Sequence, residues 1–420
     1  MSRGWLKYSA SAACAAVALS ALPMTAAASV GNIHEFTVPT TKSGPIGVTA
    51  GPDGNLWFTE ASANKIGRLS TTGSFKEFNI PSPASQPNPN GITAGPDGNL
   101  WFAESVTNKI GRITTAGAIK EFAVTTPSSR PVGITAGPDG KLWFTEFNGN
   151  KIGRITTTGT VKEFTVPTAS AGPGGITSGP DGNLWFIEFK QNKLGRVSTT
   201  GAFKEFPIPF PSSQPHDIVA GPDGNLWFTT LSNGGPDQIG RVSTSGVFKE
   251  FTIPSSTSTP QGITVGPDRN LWFVEATQNQ VGRVTTTGTF KEFRIPTAQS
   301  SVELIAPGPD ANLWFTEFFG NHVARITDQP APSLSLAPSS GLPGATVHAA
   351  GSSFGSFEQV RITFLDSTHG TAVLATVRTD ATGHFSKSVS IPGNATSGGQ
   401  TVRASGLTSG VSASHAFTVT

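Results

Sequence analysis

The sequence predicts an all-β protein whose main part is a seven-bladed β-propeller closed by its own N-terminal strand, with a small β-sandwich after it. Three observations predict this fold. The dipeptide Trp-Phe recurs seven times at intervals of 42 to 45 residues, each repeat contains four strand-like stretches, and the last repeat lacks a final strand that occurs near the N-terminus. The repeated tryptophans are Trp57, Trp101, Trp143, Trp185, Trp227, Trp272 and Trp314.

Each repeat reads as four antiparallel strands separated by turns. A stretch like Gly-Ile-Thr comes first, followed by the turn Gly-Pro-Asp-Gly-Asn, in which proline and glycine favour chain reversal. Leu-Trp-Phe-Thr-Glu is next and is rich in aromatic and β-branched residues. Lys-Ile-Gly-Arg-Ile-Thr, the turn Thr-Thr-Gly and a Lys-Glu-Phe strand complete the repeat. No window carries an apolar stripe of helical period, so the repeat predicts a propeller blade.

The two ends of the repeat region are predicted to share one blade. The last repeat stops at residues 324–327 without its Glu-Phe strand, and His34–Pro39 carries the missing sequence. An N-terminal outer strand would close the ring and cover an edge that an incomplete blade would expose. A stacked solenoid would instead need distinct capping units.

Residues 1–28 are predicted to be a secretory signal that is cut after Ala28. Arg3 and Lys7 precede an apolar run, and small residues end it. Cys14, the only cysteine, lies in this segment, so we expect a secreted, extracellular bacterial protein without disulfides or a thiol nucleophile.

The remaining chain has 27 Lys and Arg residues against 27 Asp and Glu residues. A net charge near zero argues against nucleic acid and against an anionic membrane as partners. We expect no membrane insertion once the signal is removed, and we expect a monomer.

The composition changes near residue 328, which sets the predicted domain boundaries. Residues 29–328 form the predicted propeller, and Gln329–Pro332 reads as a short stiff linker. Residues 333–420 carry alternating runs such as Gln359–Leu365 and Thr371–Arg378 between Gly, Ser and Asn clusters. This segment resembles the Ig-like β-sandwich modules of secreted bacterial proteins, which implies a spacer or attachment role.

The predicted ligand site lies at the channel mouth, where the innermost strand of each blade begins. The residue after the proline of Pro-x-Gly-Ile-Thr differs most between otherwise similar repeats. It is Ile46, Asn90, Val132, Gly174, His216, Gln261 and Glu303 in blades one to seven. Polar groups gathered on one arc of an apolar mouth suit a small-molecule site. We therefore predict ligand contacts from Asn90, His216, Thr230, Gln261 and Glu303.

Blade five is irregular in two further ways on the same face. Its second strand ends in Thr230, where the other six blades have glutamate, and the loop Thr230–Gln238 is three residues longer than the matching loop of blade one. These changes coincide with His216, which favours a site in this blade.

Most other repeated polar residues have a structural interpretation. The glutamates that end Leu-Trp-Phe-Thr-Glu are expected to pair with a basic or amide group of the repeat. The aspartates of Gly-Pro-Asp-Gly-Asn are expected to form turns, and the tryptophans to pack between blades. His322, which replaces a repeat lysine, and His34 are expected to lie away from the channel. An ordinary lining role for His216 remains an equal alternative.

The consensus Gly-Ile-Thr-x-Gly-Pro-Asp-Gly-Asn-Leu-Trp-Phe-Thr-Glu, followed by Asn-Lys-Ile-Gly-Arg, closely resembles the streptogramin B lyases, also called virginiamycin B lyases, over residues 33–327. The resemblance implies an enzyme that opens the ester of a cyclic depsipeptide without water. A histidine would take the Cα proton as general base, and a bound Mg²⁺ would polarise the ester.

The family's site residues carry over only in part. His216 matches a channel-mouth histidine, one blade early, and is assigned as the base. Gln261 stands where a second histidine is expected, with Thr259 in place of an acid. Glu303 and Glu317 are assigned as assisting acids and as ligands of Mg²⁺. If the whole site lies one blade early, as His216 does, Glu275 of blade six takes the place of Glu317.

Two main functions are therefore predicted, and a third has less support from the sequence. The first is a secreted binding protein that holds a small cyclic peptide ester, or a cell-surface glycan or peptide, at the channel mouth. The alternative is a carbon–oxygen lyase that linearises a cyclic depsipeptide. A metal-dependent lactonase would need several channel-facing acids, of which only Glu303 qualifies.

Overall fold

The computed structural model describes residues 32–81, 88–210, 213–232, 235–255, 257–327, 332–354, 358–380, 383–407 and 412–420. The predicted signal, its cleavage position and most of the predicted linker lie outside these ranges. All regular structure within them is β-strand and turn, which confirms the all-β class. Among the described residues, no helix is long and apolar enough to cross a membrane.

The repeat region forms four-stranded antiparallel sheets, each of which we call a blade. Blade seven includes β1 (Asn32–Thr37) as its outer strand. Blade one contains β2 (Pro45–Ala50), β3 (Leu56–Glu60), β4 (Lys65–Leu69) and β5 (Phe75–Asn79). Blade two contains β6 (Pro89–Ala94), β7 (Leu100–Glu104), β8 (Lys109–Ile113) and β9 (Ile119–Ala123). Blade three contains β10 (Pro131–Ala136), β11 (Leu142–Glu146), β12 (Lys151–Ile155) and β13 (Val161–Thr165).

The remaining blades follow the same order. Blade four contains β14 (Pro173–Ser178), β15 (Leu184–Glu188), β16 (Lys193–Val197) and β17 (Phe203–Pro207). Blade five contains β18 (Ser213–Ala220), β19 (Leu226–Ser232), β20 (Gln238–Val242) and β21 (Phe248–Thr252). Blade six contains β22 (Pro260–Val265), β23 (Leu271–Glu275), β24 (Gln280–Val284) and β25 (Phe290–Arg294). Blade seven contains β26 (Val302–Pro307), β27 (Leu313–Glu317), β28 (His322–Thr327) and then β1.

The blades form a propeller whose ring is closed by the N-terminal strand. The first strand of each blade contacts the first strands of both neighbouring blades, and β26 of blade seven contacts β2 of blade one. Strand β1 pairs antiparallel with β28, from Asn32 opposite Thr327 to Thr37 opposite His322. The predicted sharing of the last blade is therefore confirmed, and the innermost strands surround a central channel.

The hydrophobic core lies between the blades. Every repeated Trp packs into a cluster with residues of the next blade, and each is at most 2% exposed. The aspartate of the preceding turn accepts a hydrogen bond from the indole, as Asp53 Oδ1 does from Trp57 Nε1 at 2.9 Å. The same Asp53 oxygen accepts from the Asn55 backbone N–H. The predicted packing role of the tryptophans and turn role of the aspartates are confirmed. The hydrogen bond between them further explains why both residues recur in the repeat.

The C-terminal segment forms two further sheets. One contains β29 (Ser333–Ala337), β31 (Thr346–Ser352) and β34 (Phe385–Ser390). The other contains β30 (Ser340–Gly341), β32 (Gln359–Asp366), β33 (Gly370–Arg378), β35 (Gly398–Gly406) and β36 (Ser412–Val419). Side chains from both sheets form one buried cluster, which makes this segment a β-sandwich with its own core.

Candidate functional site

A β-bulge positions the variable residue at the start of every innermost strand. In blade five the pairing of β18 with β19 runs from Pro215 opposite Thr230 directly to Ile218 opposite Phe228, so two residues on β18 lie in the bulge. The same shift occurs at this place in all the other blades. A bulge re-aims side chains and leaves them free of the ladder, which is why this position tolerates different residues.

His216 lies in the bulge of blade five with an unused ring nitrogen. Its Nδ1 is buried and has no hydrogen-bond partner. The imidazole meets Phe189 of blade four edge to face, with 6.4 Å between the ring centroids. Burial in the channel wall lowers the pKa of His216 to about 4. The imidazole is therefore neutral at neutral pH and offers a hydrogen-bonding atom to a ligand.

Asp217 is a site residue that sequence reasoning missed. It replaces the glycine of Pro-x-Gly-Ile-Thr and shares the bulge with His216. Its Oδ2 accepts a hydrogen bond from the Ile263 backbone N–H of blade six at 3.1 Å. On the other side, a Cβ on Gly175 of blade four would come within 2.6 Å of Asp217 Oδ1. Burial raises the pKa of Asp217 to about 6, against the opposing effect of backbone donors.

The neighbouring bulges of blades six and seven carry Gln261 and Glu303. Both side chains are partly exposed. The Gln261 carbonyl accepts a hydrogen bond from Thr229 Oγ1 of blade five at 2.7 Å, which ties the two bulges together. Burial raises the pKa of Glu303 to about 7, although a long hydrogen bond from Ser301 lowers it. Strands β18, β22 and β26 are successive neighbours in the ring, so His216, Gln261 and Glu303 line one arc.

Asn90 lies on the opposite side of the ring, in the bulge of blade two. Its side chain is partly exposed, and its backbone carbonyl accepts from Thr59 Oγ1 at 2.8 Å. Blade one separates it from Glu303 of blade seven, and blades three and four separate it from His216, so the structure does not bring Asn90 next to the blade-five group.

The long loop of blade five extends its inner hairpin. Ser213 and Gln214 pair with Ser232 and Leu231, beyond the point where the first two strands of other blades part. In the other blades the residue at the position of Gln214 has a left-handed backbone, as Arg130 does with φ of 55°. Among the described residues, Gln214 shows no such value. Blade five therefore presents a taller rim beside His216.

Thr230 lies in a cleft rather than on the channel wall. It is 1% exposed and lines a space of about 150 Å³ together with Phe210, Gln238 and Glu250. The smaller threonine leaves room that the other blades fill with a glutamate side chain. The predicted ligand contact from Thr230 stays a prediction, and His216 is not among the residues that line this cleft.

The glutamates that end the second strand of the other blades are fully buried, and those of blades one to four do not pair with the lysine opposite them as expected. Lys151 Nζ bonds Glu163 Oε2 at 2.9 Å, whereas both oxygens of Glu146 lack a hydrogen-bond partner. The expected pairing is wrong because the lysine reaches the outer carboxylate of its blade instead. Burial, with repulsion from Glu163 second, raises the pKa of Glu146 to about 7.

Glu317 is one of these buried glutamates. Its side chain is 0% exposed, and its Oε2 lies 3.4 Å from His322 Nδ1. No group of three metal-ligating side chains in the described ranges includes Glu303, whereas Glu317 belongs to one with Glu35 and His322. Mg²⁺ prefers several oxygen ligands, and among the described residues Glu303 belongs to no group of three such ligands. The assignment of Glu303 and Glu317 to Mg²⁺ stays a prediction, and we derive no step through that ion.

An aromatic and cationic group borders His216 on blades three and four. Phe147 and Phe189 lie 6.1 Å apart, and both follow the Leu-Trp-Phe-Thr-Glu strand of their blade. Arg130 and Lys190 lie over the Phe147 ring at 4.9 and 4.8 Å. The sequence could have indicated this group, because the residue after that glutamate varies between repeats. Blades one and two have Ala61 and Ser105 there instead of phenylalanine. This group supplies flat apolar area with positive charge next to a hydrogen-bonding imidazole.

The family comparison identifies the repeat region. The model of the virginiamycin B lyase family matches residues 24–235 and 231–343, which is more than half of the chain. Among curated relatives, a virginiamycin B lyase of Saccharopolyspora erythraea is 51% identical over 41 residues, a segment that spans 10% of this chain and 14% of the relative.

Solved structures match over far more of the chain. A selenomethionine-substituted virginiamycin B lyase of Staphylococcus aureus is 37% identical with a TM-score of 0.66, over 70% of this chain and 99% of that one. A catalytically inactive variant of the Staphylococcus aureus lyase, with quinupristin, matches with the same identity, TM-score and coverage.

Proposed function

The chain belongs to the virginiamycin B lyase family, and on that premise we propose that it is an exported binding protein. Its seven-bladed propeller would hold a cyclic depsipeptide at the channel mouth on blades three to seven and leave the ester intact. Quinupristin, present with the Staphylococcus aureus variant, is the ligand class to test first.

The observation that supports binding over turnover is the lowered pKa of His216. A general base works best with a pKa near the operating pH, and a buried imidazole whose pKa is about 4 accepts a substrate proton poorly. The neighbouring bulges supply Gln261, whose amide is no base, and Glu303, whose carboxyl retains its proton up to about pH 7. Neutral donors and acceptors of this kind hold a ligand without transferring its protons.

The contacts beside His216 support a ligand with aromatic and carbonyl groups. Phe147 and Phe189 offer stacking area, while Arg130 and Lys190 hold positive charge over the Phe147 ring. A cyclic peptide with aromatic side chains can stack there while its carbonyls accept hydrogen bonds.

Lyase activity is the second candidate, and the free Nδ1 of His216 favours it. In that reaction the imidazole would take the proton on the carbon next to the one that carries the ester oxygen. The electron pair of that C–H bond would form a carbon–carbon double bond as the neighbouring C–O bond breaks, and the acyl part of the ester would leave as a carboxylate. No water is consumed, so the linear product has the mass of the cyclic substrate.

The two ends of the chain fit an exported protein. We propose that residues 1–28 direct export and that the C-terminal sandwich is an Ig-like module that spaces or attaches the propeller. The independent core of the sandwich supports a separate module.

The test is equilibrium dialysis of the intact mature chain against quinupristin with Mg²⁺ present, followed by mass spectrometry of the recovered ligand. We expect bound quinupristin that remains cyclic after prolonged incubation. A linear isomer of unchanged mass that forms with the parent chain and is absent with His216→Ala would establish the lyase candidate instead. A failure to retain quinupristin, with a cell-wall glycan or peptide retained in its place, would overturn the assigned ligand class.

A further inference from the structure

Four blades contain a lysine that reaches toward two carboxylates. In blade three, Lys151 lies opposite Glu146 in the ladder, and its Nζ bonds Glu163 Oε2 at 2.9 Å and Thr126 Oγ1 at 2.6 Å. The inner and outer glutamates together with this lysine form what we call the blade trio. The other three trios have outer ion pairs Lys65–Glu77, Lys109–Glu121 and Lys193–Glu205.

Blade seven replaces the ammonium of the trio with an imidazole. His322 stands at the lysine position opposite Glu317, and Glu35 of the closing strand β1 is the outer glutamate. One ligand atom from each of Glu35, Glu317 and His322 lies within 4.8 Å of the others. Thr297 donates to both Glu35 oxygens at 2.8 Å from its N–H and its hydroxyl, which fixes the carboxylate in place.

Glu317 has an unused oxygen inside this group. Its side chain is 0% exposed, and Oε1 has no hydrogen-bond partner. The inner glutamates of lysine-containing trios also have unused oxygens, so this feature alone is not distinctive. Blade seven differs in its third member. The imidazole of His322 has a nitrogen lone pair that can bind a cation, whereas the lysine of the other trios is itself a cation.

We infer that Glu35, Glu317 and His322 form a binding site for a divalent transition-metal cation such as Zn²⁺. Imidazole nitrogen and carboxylate oxygens are ligands that Zn²⁺ accepts, and three protein ligands leave one position for water. With both carboxyls ionised and the imidazole neutral, the group would balance the charge of the ion. His322 is 15% exposed, so an ion reaches the group from the edge of the blade.

The ion would join the two ends of the propeller. Glu35 comes from β1, whereas Glu317 and His322 come from β27 and β28. A metal bond between them holds the closing strand to its blade. A ligand that binds the folded state alone stabilises that state in proportion to the logarithm of its concentration.

The chain itself provides the matched variant. His322→Lys restores the residue that the repeat uses in blades one to four, so this variant is expected to fold and to keep the trio hydrogen bonds. His216→Ala serves as the second control because it removes a histidine of the channel and leaves blade seven intact. Both are compared with the intact mature chain after metal removal with a chelator.

The measurement is calorimetric titration with Zn²⁺ together with thermal unfolding. We expect the parent chain and His216→Ala to bind one more Zn²⁺ than His322→Lys does, and their Tm to rise by about 5 °C at 100 times Kd. Mg²⁺ should leave the Tm unchanged. Equal stoichiometry in the parent and His322→Lys, or no Zn²⁺-dependent rise of the parent Tm, would overturn the proposal.

Discussion

At the residue scale, the ionisation of buried carboxyls is what the structure adds to the sequence. Glu146 and Glu163 belong to the same blade and to the same Lys-Glu pattern, yet their pKa values move in opposite directions. Burial raises that of Glu146 to about 7. Burial also opposes ionisation of Glu163, but hydrogen bonds from Thr126 and Lys151 outweigh it and lower its pKa.

Glu146→Gln is expected to remove a loss of stability that the parent protein shows as pH rises from acid to neutral. A carboxyl with a raised folded pKa keeps its proton better when folded, so stability falls as pH rises from about 4.5 to about 7. An amide removes this loss, and the variant should exceed the parent by about 1 kcal/mol or more at pH 8.5 while matching it at pH 5. Urea unfolding at both pH values measures the difference.

Glu163→Gln is the matched control in the same blade. It loses an ionised partner of Lys151 and should be less stable than the parent at pH 8.5. If both variants shift stability in the same direction at that pH, the assigned ionisation states are wrong.

Sequence reasoning at this scale found the variable position but not its whole environment. His216, Gln261 and Glu303 were identifiable because they depart from a repeat that fixes its other positions. Asp217 departs from the repeat glycine in the same way, but its place beside His216 depends on the bulge, which the sequence does not show. The orientation of Glu317 could not be predicted, since the repeat does not state which carboxylate its lysine reaches.

At the element scale, the bulges are tied together by a threonine of the second strand. Thr316 Oγ1 donates to the Ile46 carbonyl at 2.6 Å and accepts from the Leu304 N–H at 3.3 Å. The same bond joins blade one to two, three to four, and five to six. The alternate blades have Ala103, Ile187 and Val274 at this position, so the strand accommodates apolar side chains.

Thr316→Val should therefore destabilise the closing interface without a steric clash. The change leaves a buried carbonyl and a partly buried N–H without their partner, and we expect a loss of about 2 kcal/mol in the free energy of unfolding. Thr72→Val, on an exposed turn, should change it by less than about 0.5 kcal/mol. Urea denaturation compares the two variants, and equal effects of the two changes would contradict the role of Thr316 in joining the blades.

The strands themselves were predictable because the period of the repeat and its turn residues leave little choice. The turn residues Gly-Pro-Asp recur in every blade, and the aromatic strand after them begins at its leucine each time. The bulge was not predictable, because proline and glycine at a strand start are equally compatible with regular pairing.

At the scale of the whole molecule, ring closure determines which residues meet. Pairing of β1 with β28 brings residues 32–37 beside residues 322–327 and makes blade seven a product of both ends of the repeat region. The sequence predicted this from one missing strand. It also places the channel-mouth bulges in circular order, so that His216 lies between the aromatic pair of blades three and four and the polar bulges of blades six and seven.

The central claim is that ligand binding depends on the blade-five arc and not on the ring as a whole. Val132→Ala alters the same bulge position in blade three and is the matched control for His216→Ala. Calorimetric titration of quinupristin into the parent and both variants tests the claim most directly. We predict at least tenfold weaker binding for His216→Ala and a change of less than threefold for Val132→Ala, whereas equal affinities in all three proteins would contradict it.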